Sequence, residues 1–292
     1  MSGRWAQRAR AAAARVLGGE PDVLTVAALR VREGREVYLC SAGERAVVAK
    51  CYPDAERAAA AARALELLGG AHGPLLVPEC LALDAGERVV VQTHLRGRPL
   101  GERLAAGAGD EAVARLAAAV GALHGLGVRL PAEVSRATTL AAAEDALRRL
   151  SGADARLAAR GVAGAREAFD GAPPLGPVPS HGDLGVAQIL DCPPHLAIVD
   201  FDKAAQAEPA LDVGNLVAQL VRSRPGDGAA LAAALVAGYE AAAGATVAPL
   251  AAAYALLVLA RKLAWLAPGR RAPVRAALEA LVSSPLAPLA PR

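Results

Sequence analysis

Residues 180–214 of this 292-residue chain read SHGDLGVAQILDCPPHLAIVDFDKAAQAEPALDVG and hold most of its candidate chemistry. Two apolar runs, Ile189–Cys192 and Leu196–Val199, are separated by Pro193-Pro194-His195. Short apolar runs on either side of a turn sequence are typical of a β-hairpin. The stretch therefore predicts two antiparallel strands with polar residues at their open end.

The polar residues at the open end of this hairpin predict a metal site. In the register of a three-residue turn, Ile189 lies opposite Val199, and Gln188 lies opposite Asp200. Directly opposed side chains have Cβ atoms about 5 Å apart, and Mg²⁺ takes oxygen ligands at about 2.1 Å. We expect Gln188 and Asp200 to share a magnesium ion. Asp183, in the glycine-rich loop before them, adds a further carboxylate beside the metal, an arrangement that phosphoryl transfer uses.

The first 94 residues predict a small sheet with one helix. β-Favouring runs are separated by turn-like sequences, and an alanine-rich run that ends at Gly69-Gly70 predicts a helix. The predicted strands are 23–31, 36–41, 45–52, 79–83 and 88–92, and the predicted helix is 54–68. The N-terminal residues 1–19 predict a short surface helix.

Residues 95–100, LRGRPL, contain glycine and proline and predict a linker. Beyond the linker, apolar residues recur at three- and four-residue spacing, which indicates helices. We predict an α+β fold with two lobes: an N-lobe at 1–94, a hinge at 95–100 and a mainly helical C-lobe at 101–292.

The composition excludes several classes of protein. Aromatic residues make up only 3% of the chain and alanine runs are frequent, which disfavours an all-β fold. The formal net charge of +3 lacks the one-sided basic load of a nucleic-acid binder. The longest uncharged helical run, Val247–Ala260, is shorter than the roughly 20 residues that cross a bilayer. We therefore expect no nucleic-acid partner and no membrane span.

The four cysteines are Cys40, Cys51, Cys80 and Cys192. They form no C-x-x-C pair, and no histidine stands at zinc-ligand spacing from them. We expect reduced, structural cysteines, which suit a cytoplasmic protein.

Lys50 is the second candidate for chemistry. It ends the apolar run AVVAK, and the other lysines are only Lys203 and Lys262. A compact ammonium on a flexible stem suits phosphate oxygens. Lys50 is therefore a candidate phosphate ligand.

At these residues the sequence resembles the aminoglycoside phosphotransferase and choline-kinase-like branch of the protein-kinase fold. The signature of that family is H-G-D-x-x-x-x-N followed by I-D-[FW]-[DE], and the resemblance extends over most of the chain. It implies that Asp183 is the catalytic aspartate, that His181 packs the catalytic loop, and that Asp200 binds metal. Asp212 resembles the buried acid that holds this loop through its backbone. Gln188 stands where the family usually has asparagine, and it keeps the amide oxygen.

The resemblance also implies a nucleotide site. Lys50 would bind the α- and β-phosphates and pair with a glutamate of the next helix, for which we prefer Glu56 over Glu66. The hinge strand Val89–His94, including Gln92 and His94, would offer backbone groups to the adenine ring. The usual glycine-rich loop is weakly marked, because 32–36 contains a single glycine.

The predicted function is Mg²⁺-dependent transfer of the γ-phosphoryl group of ATP, or of GTP, to a hydroxyl of a small molecule. From Val213 onward the chain has eight basic and three acidic residues, which disfavours a strongly polycationic acceptor. Two alternatives remain open: a non-catalytic nucleotide-binding pseudokinase or scaffold, and a kinase that acts on Ser or Thr of a peptide during natural-product maturation.

Overall fold

The computed structural model describes residues 2–32, 34–107 and 109–284. Up to the predicted hinge, the chain forms two helices and eight strands within the described residues. They are α1 (Ser2–Leu17), β1 (Thr25–Arg32), β2 (Arg35–Ala42), β3 (Arg45–Cys51), α2 (Ala55–Leu68), β4 (Gly70–His72), β5 (Leu75–Val77), β6 (Cys80–Asp84), β7 (Val89–Thr93) and β8 (Arg98–Pro99).

The remaining described residues are mainly helical. Their elements are α3 (Leu100–Ala105), α4 (Gly109–His124), β9 (Glu133–Val134), α5 (Arg136–Leu147), α6 (Gly152–Gly171), β10 (Val178–Ser180), β11 (Ile189–Cys192), β12 (His195–Ile198), β13 (Ala205–Ala207), α7 (Ala210–Ser223), α8 (Gly228–Ala243), α9 (Ala248–Trp265) and α10 (Ala272–Ser283). Single turns of 3-10 helix lie at Pro21–Val23, Val186–Gln188 and Pro268–Arg270.

The chain divides into two compact units. The first consists of residues up to His72, Leu76–Arg98 and Leu190–Lys203, and the second consists of the rest. The first unit contains most of the predicted N-lobe. It also takes Leu190–Lys203 from the predicted C-lobe, so the two units are interleaved along the sequence.

The main sheet of the first unit has the strand order β1-β2-β3-β7-β6, with antiparallel neighbours. Side chains alternate between the two faces of a strand. One face presents small apolar side chains to the buried alanines of α1, including Cys40, Ala49 and Val91. The predicted surface helix therefore has a buried face, because alanine lets its backbone approach the sheet closely.

The opposite face of the same sheet presents polar and charged groups. Val37 pairs with Lys50, and Val48 pairs with Gln92, so Lys50 and Gln92 point away from α1. The sheet thus has a mainly apolar face that packs on α1, and it directs two of the predicted site residues to the opposite face.

The cysteines of the apolar face are free thiols. Burial raises the pKa of Cys40 to about 11 and that of Cys51 to about 12. Both thiols therefore stay protonated at neutral pH, consistent with their predicted structural role.

The hairpin at 189–198 forms, but its turn differs from the prediction. β11 ends at Cys192 and β12 begins at His195, so the turn contains two residues, Pro193-Pro194, and not three. The predicted register is therefore wrong by one residue. Gln188 lies in a 3-10 turn before β11 and Asp200 lies beyond β12, so cross-strand pairing does not position them.

The second unit is built around α9. This helix contacts α5, α6, α7 and α10, and its fully buried residues include Tyr254 and Leu257. It continues through Arg261 and Lys262 to Trp265, past the end predicted from those charges. By length and composition α9 is apolar enough to cross a membrane, but 61% of it is buried among the other helices, as in the core helix of a globular domain.

Helices α7 and α9 are in close contact at Gly214. A Cβ atom there would lie 2.6 Å from Tyr254 Cβ and 2.7 Å from the carbonyl oxygen of Ala251. We expect Gly214→Ala to lower the free energy of unfolding by about 1–3 kcal/mol, because overpacking strains both helices. Chemical denaturation measures this change.

Gly164 in α6 is the matched control. A Cβ atom there lies 3.8 Å from Leu256, an ordinary contact. Gly164→Ala should stabilise the protein by about 0.5–1 kcal/mol through its helix propensity. Equal effects of the two substitutions would contradict the close contact of α7 and α9.

Candidate functional site

The first unit brings Lys50 against two acidic residues. Lys50 Nζ donates to Asp200 Oδ1 at 2.8 Å and also donates to Asp202. Tyr52 donates its hydroxyl to Asp202 Oδ1 at 2.9 Å. The Lys50 side chain is only 5% exposed, and a buried ammonium is stable only when it is paired. The carboxylates of Asp200 and Asp202 supply the negative charges that pair with it.

Two arginines also contact these acids: Arg35 contacts both, and Arg30 contacts Asp200. Arg35 donates to both carboxylate oxygens of Asp200, with Nη1 at 2.9 Å and Nη2 at 3.1 Å, and it also contacts Asp202. Arg30 Nη1 lies 3.4 Å from Asp200 Oδ2. Three cations therefore converge on two carboxylates.

These charges control the ionisation of Asp200. Burial raises the pKa of Asp200, but the ammonium of Lys50 and the guanidinium of Arg35 outweigh burial and hold this pKa well below its usual range. Asp200 also has a φ of 77°, a left-handed conformation that aspartate tolerates better than most residues. The result is an ionised carboxylate, as a metal ligand must be.

The predicted partner of Lys50 is wrong. Glu56 is exposed in the first turn of α2, where an acid favours the helix dipole. Glu66 pairs with Arg63 on the surface of α2. The inward face of this helix consists of alanines and leucines, so α2 offers no acid to Lys50, and the two aspartates take that role.

The hinge residues are only partly as expected. Strand β7 lies between β3 and β6, so the backbone of Val89–Thr93 is within the sheet. Only from His94 onward does the chain leave it. The side chain of Gln92 is buried, and its Oε1 has no hydrogen-bond partner among the described residues. Burial, together with the charge of Arg96, lowers the pKa of His94.

In the second unit, Asp212 organises the predicted catalytic loop. Its carboxylate accepts hydrogen bonds from the backbone amides of His181 at 2.6 Å and Gly182 at 3.0 Å. His124 Nε2 lies 3.3 Å from the same carboxylate, and His124 Nδ1 lies 2.8 Å from the hydroxyl of Tyr239. Asp212 thus holds the loop through its backbone, as the resemblance implies.

This carboxylate is fully buried and ionised. Burial raises the pKa of Asp212, but the hydrogen bond and charge of His124, with the contribution of His181, outweigh burial and keep the pKa below its ordinary value. His181 is itself 1% exposed. The loop that leads into Asp183 is therefore fixed to the start of α7.

At the other end of the loop, the side-chain amide oxygen of Gln188 accepts no hydrogen bond from the described residues. Gln219 on α7 accepts a hydrogen bond from the amide of Val186 at 2.9 Å, which fixes the turn before Gln188. Gln188 Oε1 is buried and has no hydrogen-bond partner within the described residues. A buried amide oxygen without a donor is costly, and a cation would satisfy it.

Asp183 has a basic environment. Half-buried Lys262 on α9 interacts electrostatically with Asp183 and with Arg222 on α7. Burial and the charge of Arg222 lower the pKa of Lys262, whereas Asp183 raises it. Lys262 is therefore a cation close enough to interact with the carboxylate of Asp183.

Sequence reasoning missed Arg30 and Arg35. The strand register could have identified them. Both lie near a turn with one glycine. Arg35 lies on the same sheet face as Val37, and Val37 pairs with Lys50. Gln219 was also missed, because an amide in a helix carries no motif.

The sequence and the fold both match known proteins. A family model for the phosphotransferase enzyme family matches residues 26–252. Comparison with curated proteins finds no match.

Solved structures share the architecture over nearly the whole chain. A choline/ethanolamine kinase family protein from Mesorhizobium loti is 21% identical with a TM-score of 0.67, covering 96% of each chain. A macrolide 2'-phosphotransferase from Brachybacterium faecium is 22% identical with a TM-score of 0.62, covering 93% of this chain and 95% of its own. A mutant aminoglycoside phosphotransferase in complex with ADP and hygromycin B is 15% identical with a TM-score of 0.64, covering 89% of this chain and 93% of its own.

The buried Asp212 generates a prediction about stability. We expect Asp212→Asn to lower the free energy of unfolding at pH 7 by about 3 kcal/mol, because a paired buried carboxylate is lost. The folded-state pKa lies below the unfolded value of about 3.9, so the carboxylate contributes its stability above that value and loses it as the pH falls through the folded-state pKa. The difference in free energy of unfolding between the wild type and Asp212→Asn should therefore become smaller below about pH 4, which denaturant titrations at several pH values measure.

Asp145→Asn is the control, since Asp145 is exposed and pairs only with Arg148. It should change stability by less than about 0.5 kcal/mol. If Asp212→Asn lowers the free energy of unfolding by the same amount at pH 3 and pH 7, the charge of the carboxylate is not what holds the loop.

Proposed function

The chain belongs to the phosphotransferase enzyme family, and on that premise we propose that it moves the γ-phosphoryl group of ATP, or of GTP, to a hydroxyl of a small molecule with Mg²⁺ as cofactor. The observation that carries this proposal is the 2.8 Å contact between Lys50 and Asp200. It joins a compact cation suited to phosphate with an ionised acid suited to a metal. The two groups are 150 residues apart in sequence, so the fold itself brings them together.

The chemistry of each predicted metal ligand, taken by itself, suits a magnesium ion. Asp200 is ionised, and Gln188 carries a buried oxygen with no hydrogen bond among the described residues. Mg²⁺ takes oxygen ligands and keeps water and substrate phosphates among them, so it needs few ligands from the protein. When bound, the ion would neutralise charge on the phosphate oxygens. Gln188 and Asp200 would hold it.

Asp183 would receive the proton of the reaction. The acceptor hydroxyl forms a bond to the γ-phosphorus, the bond to the β-phosphate oxygen breaks, and the hydroxyl proton passes to the carboxylate of Asp183. His181 and Asp212 would position Asp183 through the loop backbone, without contacting the substrates. Lys50 would bind the α- and β-phosphates.

Nucleotide use has further support. The similar aminoglycoside phosphotransferase was crystallised with ADP and hygromycin B. In this chain, the buried side chain of Gln92 shares the sheet face of Lys50, and His94 follows the strand. We propose that the segment from Gln92 to His94 contacts the base, with the N-lobe covering the nucleotide and the C-lobe binding the acceptor.

We propose that the acceptor is not strongly polycationic. Lys262 is a cation that interacts with Asp183, and Arg222 interacts in turn with Lys262; Lys262 would repel ammonium groups brought to Asp183. A neutral or anionic alcohol suits this environment, and a Ser- or Thr-bearing peptide is the next candidate. Arg292, which also contributes to the basic C-terminal segment, lies outside the described residues. Buried, protonated cysteines support a cytoplasmic location.

Asp183→Asn tests the reaction. We expect turnover to fall by about 10²–10⁴-fold, because a positioned acid-base group contributes that much, while nucleotide affinity stays close to that of the wild type. ADP release is measured with Mg²⁺-ATP and the best acceptor from a panel of neutral, anionic and aminoglycoside alcohols and peptides. Asp170→Asn, at an exposed position on α6, is the control.

Near-normal turnover of Asp183→Asn would refute the assignment of Asp183. Nucleotide binding by the wild type without ADP release on any acceptor would favour the pseudokinase alternative, and release only with peptides would favour a peptide kinase.

Gln188 is tested by two substitutions. Gln188→Leu removes the oxygen, and we expect it to weaken Mg²⁺-dependent ATP binding by about tenfold or more, the value of a charged polar contact. Gln188→Asn keeps an amide oxygen and should retain more of this affinity. Calorimetry with and without Mg²⁺ measures both. Equal losses with and without metal would argue against a role for Gln188 as a metal ligand.

A further inference from the structure

The turn between β1 and β2 lacks the features of a glycine-rich phosphate loop. The two strands end at Arg32 and begin again at Arg35, and the turn contains a single glycine, Gly34, with a φ of 78°. Loops that cradle phosphates with backbone amides use several glycines, so that the backbone can approach the ligand. In sequence, residues 32–36 contain no other glycine, and Arg32 and Arg35 stand on either side of the turn.

The two described arginines beside this turn face the polar side of the sheet. Arg30 pairs with Val37, and Val37 pairs with Lys50, so these side chains project from one face. Arg35 projects from the same face, two residues before Val37. Register alone therefore places two guanidinium groups and one ammonium together, opposite the layer that packs on α1.

Among the described ion pairs of this cluster, positive charges outnumber negative ones. Arg30, Arg35 and Lys50 contribute three positive charges, whereas Asp200 and Asp202 contribute two negative ones. Arg35 binds both oxygens of Asp200 in a bidentate contact. Guanidinium groups bind phosphate with the same fork geometry as carboxylate, so a phosphate group can replace the carboxylate at Arg35 without loss of hydrogen bonds.

We propose that Arg35, assisted by Arg30, binds the phosphate chain of the nucleotide directly and replaces the backbone amides of a glycine-rich loop. The inference rests on the proposed function. In the structure both arginines contact Asp200. When the nucleotide binds, its phosphate oxygens replace the carboxylate of Asp200 as hydrogen-bond acceptors of Arg35 and Arg30. Asp200 is then available to bind a cation. Phosphate binding and metal binding are thereby coupled at one carboxylate.

The test compares Arg35→Gln and Arg30→Gln with the wild type by calorimetric titration of ATP, ADP, AMP and adenosine, with and without Mg²⁺. Arg35→Gln should weaken ATP binding by about tenfold to a hundredfold, the range for a charged hydrogen-bonded contact. It should weaken ADP binding less and leave adenosine unchanged. Arg30→Gln should act in the same direction with a smaller effect, because its contact is longer. Arg63→Gln removes the same charge from the exposed surface of α2 and should change nothing.

The outcomes separate the possible roles of Arg35. If this residue only occupies Asp200, Arg35→Gln will bind Mg²⁺-ATP as tightly as the wild type or more tightly, which would overturn the proposal. An equal loss for adenosine and ATP would also overturn it, since it would reveal a general disturbance of the site. Wild-type protein that binds none of the four ligands would refute the proposed function itself.

Discussion

A single buried ammonium determines how the first unit is put together. Lys50 is 5% exposed in the middle of a sheet, and an isolated charge in that environment would cost many kilocalories per mole. Its sheet neighbours are apolar, and α2 presents alanines and leucines. The opposite charge comes from Asp200 and Asp202, about 150 residues further along the chain. The segment that carries them must therefore pack with the N-terminal sheet for the sheet to bury this lysine.

The second unit also buries a charged side chain, but here the charge is negative. Here the buried charge is the carboxylate of Asp212, and its partners are two backbone amides and His124. Three helices contribute, since Asp212 begins α7, His124 ends α4 and Tyr239 lies on α8. Because the amides belong to His181 and Gly182, the helical core determines the position of the loop that leads into Asp183. The position of the predicted catalytic loop thus depends on the hydrogen bonds of one buried acid.

Sequence patterns predicted the elements of the fold well, because the N-terminal strands and α2 are defined by local turns and caps. The resemblance to kinase-like phosphotransferases was confirmed, and so was the contact of Asp212 with the loop backbone. The errors concern choices that local sequence does not determine. Whether Pro193-Pro194 or a third residue makes the turn depends on strand pairing, and the partner of Lys50 depends on which acid comes close in three dimensions. Arg30 and Arg35 became visible only once the register assigned them a face.

The interleaving of the two units limits how this chain can be divided. No single cut leaves both units complete, because the chain leaves the first unit after Arg98 and returns to it at Leu190. A fragment that ends at the hinge would contain the whole five-stranded sheet of β1, β2, β3, β7 and β6, yet its buried ammonium would lack Asp200 and Asp202, the acids with which it pairs in the structure. Neither lobe expressed alone would therefore contain both Lys50 and its acidic partners. A divided version of this protein would need the segment 190–203 on the same piece as the N-terminal sheet.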